Sequence, residues 1–439
     1  MKRFTLFIAL GLLLGSHLSA QSNLLQSGPM LGYNEMREVL LWVQTTAPAK
    51  VQFAYWAQAT PEQRLFTAEK MTAKEEAYTA KLLADQLEPG TKYQYELLIN
   101  GKAVKRPYPT EFETQPFWQW RTDPPAFTVA VGSCAYINEA QYDRPGTPYG
   151  SDYQIFESIH QQRPNAMIWL GDNIYLREVD WYTRSGILHR YTHTRSLPEM
   201  QALLASTHHY AIWDDHDYGP NNSDRSFIHK DQTLEGFRLF WGNPTFGLPG
   251  LGGITSYFQY NDIDFFLLDD RYFRSPNKRQ TGEATMLGKE QLEWLIDALS
   301  GSYAPFKMVC IGGQVLNTAP GEENYGDHFK EEQAYLLKRI EEEDIKNVIF
   351  VTGDRHHTTM SKYVNARGNT LYDLTVSSLT AGIYEAKEHN ALLVEGTYLP
   401  KHNFGLLEFS GPRLDRKLTI RVLDADGKEQ WVREILSEK

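Results

Sequence analysis

The pattern of hydrophobic and polar positions changes near residue 120 and predicts a different architecture on each side. Between residues 23 and 115, short runs rich in β-branched and aromatic residues, such as 39–45 and 50–57, are separated by turn signals. One of these signals, Asn100-Gly101, is a strong hairpin dipeptide. The pattern therefore predicts an all-β sandwich domain over residues 21–118.

From Phe127 onward, apolar runs of strand length alternate with stretches of helical periodicity, which is typical of an α/β fold. A hairpin is expected to turn at Asn261-Asp262, and the C-terminal residues 406–436 read as closing strands. Loops at 177–195 and 222–230 are expected to shape a pocket. The other predicted strands lie within 127–134, 166–172, 210–217, 306–314 and 347–357, and the predicted helices lie within 152–164, 197–206, 288–301 and 330–345.

Five of the apolar runs end in polar residues that are able to bind a ligand. In open α/β sheets, ligands bind at the carboxyl ends of the strands, so these endings predict one shared site. Carboxylates that converge there repel one another and are costly to bury, and a bound cation would resolve the conflict. The endings are GSC (132–134), GDNIY (171–175), WDDHD (213–217), LLDDR (267–271) and VTGDRHH (351–357).

The residue types at these endings indicate the kind of metal. A thiolate from Cys134 beside oxygen and imidazole donors suits iron or zinc, and a phenolate from Tyr175 would favour ferric iron. Asp354 and His356 would face the same site if their segment were extended, with His357 pointing away. Asp172 taken alone is also a common helix cap.

The stretch WDDHDYGPNN (213–222) supplies a further wall of the predicted site. An amide oxygen from Asn221 or Asn222 would suit a hard cation, and His216 would be able to donate a proton to a leaving group. Asp214 and Asp215 cannot both be metal ligands together with all the others, so one of them is expected to orient His216 or a ligand.

The ordered motifs GSC, GDxxY, WDDHD followed by Asn, and GDxH resemble those of the PhoD-like alkaline phosphatase/phosphodiesterase family. This family is a branch of the calcineurin-like metallophosphoesterases, and the resemblance runs from about Phe127 to the C-terminus. It implies a four-layer α-β-β-α sandwich as the catalytic domain, residues 126–439. The preceding β-domain is similar to the family's N-terminal domain, and residues 87–97 resemble fibronectin type III-like domains.

The resemblance also implies a role for each matching residue. It implies two metal ions, ferric iron (Fe3+) and calcium (Ca2+), with zinc or manganese as alternatives. Asp172 would bridge the two ions. The iron would be bound by Cys134, Tyr175 and His356, and the second ion by Asp354 and Asn221, with Asn222 as the competitor of Asn221.

Three further residues are candidates beside the metals. His216 matches the histidine that protonates the leaving group in related phosphoesterases. Arg271 is predicted to bind a phosphate oxygen, with an ordinary surface arginine as the alternative. Gln314 stands where the wider superfamily has a histidine, and it is kept only as a candidate site residue.

The implied activity is hydrolysis of phosphate esters by water that two metal ions activate, in an alkaline phosphatase D-like phosphomonoesterase or phosphodiesterase. One alternative is a phospholipid or nucleotide phosphodiesterase, and another is a non-catalytic cell-surface binding protein. The net charge of −11 argues against extended binding to nucleic acid, which needs a basic face.

The N-terminal residues predict export. Lys2 and Arg3 precede a short apolar run, and LSA stands at 18–20, which together indicate a Sec-type signal peptide over residues 1–20. The mature chain is then expected to be periplasmic or secreted, with no transmembrane segment. Such a compartment permits a disulfide between Cys134 and Cys310, which would remove the proposed iron ligand.

Overall fold

The computed structural model describes residues 24–321, 324–386 and 389–438, so the predicted signal peptide lies outside the described residues. The N-terminal region forms nine strands in two packed sheets, whose shared core includes Leu41, Phe53 and Tyr95. The strands are β1 (Leu25–Asn34), β2 (Val39–Thr45), β3 (Lys50–Ala57), β4 (Leu65–Phe66), β5 (Lys70–Met71), β6 (Thr79–Ala84), β7 (Lys92–Ile99), β8 (Lys102–Ala103) and β9 (Glu111–Glu113).

The predicted hairpin at Asn100-Gly101 is confirmed, since it joins β7 to β8 with both residues at positive φ. β1, β2 and β6 form one sheet of the sandwich, and β3 and β7 form the centre of the other.

The remaining strands of the described chain are β10 (Phe127–Gly132), β11 (Ala166–Leu170), β12 (His208–Ile212), β13 (Ser256–Tyr260), β14 (Ile263–Leu267), β15 (Lys307–Cys310), β16 (Val348–Thr352), β17 (Thr359–Val364), β18 (Thr370–Thr375), β19 (Asn403–Ser410), β20 (Lys417–Asp424) and β21 (Glu429–Leu436). The helices are α1 (Gln154–Gln161), α2 (Arg184–Arg195), α3 (Gln201–Ser206), α4 (Asp215–Tyr218), α5 (Lys230–Phe240), α6 (Lys289–Gly301), α7 (Tyr325–His328) and α8 (Lys330–Glu342).

Two sheets form the centre of the second region. One has the order β21-β20-β19-β10-β11-β12-β1-β2-β6, and the other has the order β13-β14-β15-β16-β18-β17. Apolar side chains from both sheets, including Ile168 and Phe265, meet in one core. On the other face of the second sheet, α6 and α8 contribute Leu295 and Leu336 to a separate core. Helices α1 and α3 cover the first sheet, which confirms the predicted four-layer fold.

The first of these sheets continues into the N-terminal sandwich. β1 pairs in parallel with β12, with Leu31 opposite His208. The sheet therefore runs across the predicted boundary between the two regions, a pairing for which no local sequence signal exists.

The hairpin predicted at Asn261-Asp262 is confirmed by the antiparallel pairing of β13 with β14. The expected loop at 177–195 is wrong for much of its length, because Arg184–Arg195 is the helix α2. That helix lacks a clean apolar stripe since two of its buried residues, Arg190 and Arg195, are cationic.

The parallel strands determine where the site lies. β10, β11 and β12 are parallel neighbours in one sheet, and β14, β15, β16 and β18 are parallel neighbours in the other. The polar strand endings of both sheets consequently meet at one edge of the sandwich. No helix in the described ranges has the length and apolar character needed to cross a membrane.

Candidate metal centre

Four of the predicted ligands sit on sharply turned backbone just beyond strand ends. Cys134, Asp172, Asp354 and His356 have φ values of 61°, 51°, 65° and 55°. Positive φ is uncommon for residues other than glycine, and it persists where the surroundings hold it in place. These turns direct side chains from β10, β11 and β16 toward a common point.

The first ligand group joins the two sheets. Ligand atoms of Cys134, Asp172 and His356 all lie within 4.8 Å of one another. Cys134 Sγ is 3.8 Å from Asp172 Oδ2, and the Tyr175 hydroxyl is 3.4 Å from His356 Nε2. Gly382 O is bonded to His356 Nδ1, which as the donor would leave Nε2 free to bind a cation.

Cys134 is buried in surroundings that need a positive charge to stabilise its thiolate. Burial, followed by the charge of Asp354, raises the thiol pKa to about 11, although hydroxyls such as that of Ser377 partly offset this. Ser377 Oγ donates to Cys134 Sγ at 3.2 Å. Both Cys134 and Cys310 are free, so the alternative of a disulfide is wrong. Cys310 lies buried in β15.

Two further groups of carboxylates lie beside the first. Asp172, Asp215 and His216 form one, and Asp214, Asp215 and Asp354 form the other, each with ligand atoms within 4.8 Å. Asp172 and Asp215 therefore each belong to two of the three groups. The structure thus identifies Asp215 as a candidate ligand, which the sequence did not. In a run of adjacent acids such as WDDHD, the sequence does not show which side chain faces the site.

The expectation that Asp354 and His356 share one face of an extended segment is wrong. Both have positive φ, so the backbone between β16 and β17 coils and does not alternate. Asp354 joins the carboxylate group, whereas His356 joins the thiolate group. His357 is buried with its ring 5.4 Å from that of Tyr398.

The donor set fits a cation. Burial raises the pKa of Asp172 well above its ordinary value, and the neighbouring charges of Asp215 and Cys134 raise it further. Burial also raises the pKa of Asp214, against the lowering effect of Arg271. Asp214 Oδ2 and Asp215 Oδ1 are buried and find no hydrogen-bond partner among the described residues. Carboxylate oxygens buried in this way are stabilised by coordination to a metal ion.

Arg271 is paired with a carboxylate of the site. Its side chain is fully buried, and its Nε donates to Asp214 Oδ1. Its backbone N–H donates to Asp269 Oδ1 at 3.0 Å. The alternative of an ordinary surface arginine is therefore wrong, and Arg271 holds Asp214 in place. The predicted contact with a phosphate oxygen stays a prediction.

His216 lies on the open side of the carboxylates. Its backbone N–H donates to Asp172 Oδ1 at 3.1 Å, and its ring centre is 4.3 Å from that of Tyr175. Its side chain is 23% exposed, with Nε2 4.0 Å from Asp215 Oδ2. Asn221 is exposed and lines the adjoining cleft, whereas the backbone N–H of Asn222 donates to Asp215 Oδ2 at 2.6 Å.

Gln314 is engaged away from the metal groups. Its side-chain amide donates to Thr375 Oγ1 at 2.8 Å and to Thr359 Oγ1 at 3.3 Å, and its carbonyl oxygen accepts from Asn317 at 2.6 Å. These bonds tie β18 and β17 to the loop after β15, so Gln314 has a structural role and the candidate site role is not supported by its contacts.

A cleft of about 630 Å³ opens beside the metal groups and shares Tyr175 and His216 with them. It is the concave surface through which a ligand would reach the carboxylates. Its other lining residues are Tyr136, Tyr142, Asp143, Arg144, Pro145, Thr147, Tyr149, Leu176, Arg177, Glu178, Trp181, Asn221 and Tyr384.

Two parts of the chain match known protein families. Residues 251–404 match the family model of the PhoD-like phosphatases, and residues 22–117 match that of a domain of unknown function, DUF7800. The chain is 23% identical over 334 residues to alkaline phosphatase D of Bacillus subtilis (strain 168), covering 64% of this chain and 53% of that protein. The chain thus spans about half the length of the curated relative it matches.

Two solved structures share the fold. The structure of PhoD matches with a TM-score of 0.77 at 17% identity, and the match covers 95% of this chain and 93% of the PhoD chain. A purple acid phosphatase from yellow lupin (Lupinus luteus) seeds has a TM-score of 0.68 at 11% identity and covers 93% of this chain and 74% of its own. The chain therefore shares the fold of these two structures, and residues 251–404 are similar to the PhoD-like phosphatases.

Proposed function

We propose that this protein is an exported phosphoester hydrolase that depends on two metal ions. The observation that carries the proposal is the set of three overlapping ligand groups, which share Asp172 and Asp215 at the edge where both sheets end. Two cations that share a carboxylate are the arrangement by which hydrolases bind phosphate oxygens and activate water. The match to PhoD-like phosphatases points to the same chemistry.

The two sides of the cluster differ in their donors, which supports a different metal on each. Cys134, Tyr175 and His356 offer sulfur, phenol oxygen and imidazole, a set that suits ferric iron, with zinc as the alternative. Asp354, together with Asn221 and the nearby carboxylates, offers oxygen only, which suits calcium, with manganese as the alternative. Asp172, which belongs both to the group with Cys134 and His356 and to the group with Asp215 and His216, would bind both ions.

Other residues of the site would assist the metal ions. His216 is partly exposed at the cleft, where it would donate a proton to the oxygen of the leaving group. Its position is fixed by its backbone bond to Asp172 and by the packing of its ring against Tyr175. Arg271 keeps Asp214 oriented from behind. The cleft is large enough for the organic group of a phosphate monoester or diester.

Export rests on residues 1–20, whose basic start, apolar run and small residues before position 21 favour cleavage by a signal peptidase. Fractionation of the expressing cells, with sequencing of the N-terminus of the recovered protein, tests this part separately.

Elemental analysis of the protein purified without a tag or chelators is the first test, followed by assays with p-nitrophenyl phosphate and its bis ester. We expect two metal ions per chain and hydrolysis of at least one ester. Asp172→Asn should lower kcat by roughly 100-fold or more, since it weakens both metal sites. Asp297→Asn, on the exposed side of α6, is the matched control. Full metal content without hydrolysis, or an unchanged Asp172→Asn variant, would overturn the proposal.

A further inference from the structure

The cleft beside the metal groups is walled by aromatic rings. Tyr136 lies 4.9 Å from Tyr149 and 5.0 Å from Tyr175, measured between ring centres, so the three rings form a continuous wall. Tyr142, Trp181 and Tyr384 line the same cleft. Six of its fifteen lining residues are therefore aromatic, and the wall begins at Tyr175, which belongs to the metal centre.

Hydrogen bonds hold several of these rings in fixed positions. Trp181 Nε1 donates to Leu176 O at 3.0 Å, and the hydroxyls of Tyr149 and Tyr384 lie 3.0 Å apart. The Tyr136 hydroxyl donates to Asp143 Oδ1 at 2.8 Å. Because their polar ends are engaged by the protein, Tyr149, Trp181 and Tyr384 present mainly their rings to a ligand, whereas the guanidinium of Arg177 lies 3.8 Å from the ring centre of Tyr136 and covers that ring.

The charged residues of the cleft are neutralised or lie at its mouth. Arg177 pairs with Asp143 at 2.8 Å, and both side chains are at least nine-tenths buried. Arg144 and Glu178 lie 3.6 Å apart with side chains 88% and 55% exposed. The cation and the carboxylate at Arg177 and Asp143 are thus engaged with each other, whereas a flat ring would meet the aromatic side chains of the wall.

We infer that the organic group of the substrate is a planar heteroaromatic ring, and that the protein acts on small nucleoside phosphate esters. The inference rests on the proposed function and names its substrate class. Stacking on aromatic side chains strengthens binding of a base by about tenfold or more and tolerates differences between bases. The net charge of −11 disfavours a nucleic-acid polymer, so the substrate is a nucleotide or a small nucleoside diester.

Lipid is the less suitable occupant. Leu176 and Pro145 are the aliphatic residues among those lining the cleft, and no long apolar groove continues from them in the lining set. An acyl chain would leave most of its methylene groups without aliphatic contacts, whereas a base of bicyclic size fits within a cleft of about 630 Å³.

The test compares two esters that differ only in the base. Adenosine 5′-monophosphate and ribose 5-phosphate have the same scissile bond and the same kind of leaving oxygen. Release of phosphate by the metal-loaded protein gives kcat/KM for each. If only diesters are hydrolysed, the methyl esters of the two compounds replace them, and release of methyl phosphate is measured. We expect the nucleotide to be favoured by about tenfold or more.

Variants of the wall connect this ratio to the rings. Trp181→Leu and Tyr384→Leu should each lower the ratio several-fold, and Tyr384→Phe, which keeps the ring, should restore it. Tyr303→Leu is the control, because Tyr303 is fully exposed and does not line this cleft. Equal kcat/KM for the two esters, or a ratio that both leucine variants retain, overturns the inference and leaves the proposed function standing. A fully metal-loaded protein that hydrolyses no ester overturns both.

Discussion

The hydroxyl of Tyr175 lies 3.4 Å from Nε2 of His356, and neither residue is more than 6% exposed. Burial, followed by the charges of Asp172 and Cys134, raises the pKa of Tyr175 well above its ordinary value. Burial lowers the pKa of His356, which keeps its imidazole neutral. Without a cation the phenol therefore keeps its proton, and binding of a metal ion must displace it.

Replacing Tyr175 with Phe removes this oxygen and keeps the ring that packs against Tyr136 and His216. We expect the thermal unfolding midpoint to change little, while the affinity for ferric iron and kcat fall by roughly 10- to 100-fold. The visible absorption of a phenolate bound to ferric iron should disappear. Tyr303→Phe is the control, since Tyr303 is fully exposed and belongs to none of the ligand groups. An unchanged spectrum and iron content in Tyr175→Phe would exclude Tyr175 as a ligand.

Replacing Arg271 with Met leaves Asp214 buried without its cationic partner. We expect the metal-free protein to lose about 3–5 kcal/mol of unfolding free energy near pH 8, because a buried carboxylate loses its compensating charge. The loss should become smaller at acidic pH, where Asp214 takes up a proton. Urea denaturation at several pH values measures both effects.

Arg64→Met is the matched control for that prediction. Arg64 pairs with Glu96 at 3.2 Å, with side chains 49% and 30% exposed, so its removal should cost less than about 1 kcal/mol. If Arg271→Met lowered the unfolding free energy no more than Arg64→Met does, the charge of Arg271 would not be needed to stabilise the buried Asp214.

The parts of the site that the sequence predicts are those marked by local pattern. Apolar runs of strand length end in Cys134, Asp172 and Asp354, and parallel neighbours bring such endings to one edge. The helical and strand periods were sufficient for an α/β fold, whereas the four layers were implied by the family resemblance. The hairpins at Asn100-Gly101 and Asn261-Asp262 were predicted correctly because turn formation depends on the residues of the turn itself.

The parts that the sequence does not predict depend on distant partners. An arginine that follows a strand gives no sign in the sequence of whether it faces water or a carboxylate. The partner of Arg271, Asp214, is 57 residues away. The pairing of β1 with β12 likewise joins Leu31 to His208 across the predicted domain boundary. The coil that sends Asp354 and His356 to different ligand groups depends on the segment that follows β18, where Ser377 Oγ accepts from the backbone N–H of His356 at 2.9 Å.

The carboxylates of Asp214 and Asp270 pack against Gly312, which has no side chain to displace them. A Cβ atom at this position would lie 2.6 Å from Asp214 Cγ and 2.7 Å from Asp270 Oδ2. Gly312→Ala should therefore displace these side chains, at a cost of about 1–3 kcal/mol, and weaken metal binding by roughly tenfold or more. Titration against a competing chelator measures the affinity. Gly301→Ala is the control, since no atom lies within 4 Å of its Cβ, and equal affinities in the two variants would contradict the prediction.

Asp373 makes stability depend on pH at a position away from the metal ligands. Its Oδ2 accepts from the N–H groups of Val315 and Leu316, both at 2.7 Å, and its Oδ1 accepts from Thr352 Oγ1 at 2.9 Å. Burial nevertheless raises its pKa from 3.8 to about 6. The folded state thus holds this proton more tightly than the unfolded state, and the stability it contributes is lost as pH rises from about 4 to about 6.

Asp373→Asn removes this titration, and its amide is able to accept the two N–H bonds and to donate to Thr352 Oγ1. A shift of roughly two pKa units corresponds to about 3 kcal/mol, so the variant should gain that much relative to the wild type between about pH 4 and pH 7. Urea denaturation of both proteins across this range measures the difference in their unfolding free energies. The contributions of the other titrating groups are the same in both proteins and cancel in this difference. Asp297→Asn, whose side chain is exposed, should show no such trend. A difference between Asp373→Asn and the wild type that stays constant with pH would show that Asp373 titrates alike in the folded and unfolded states.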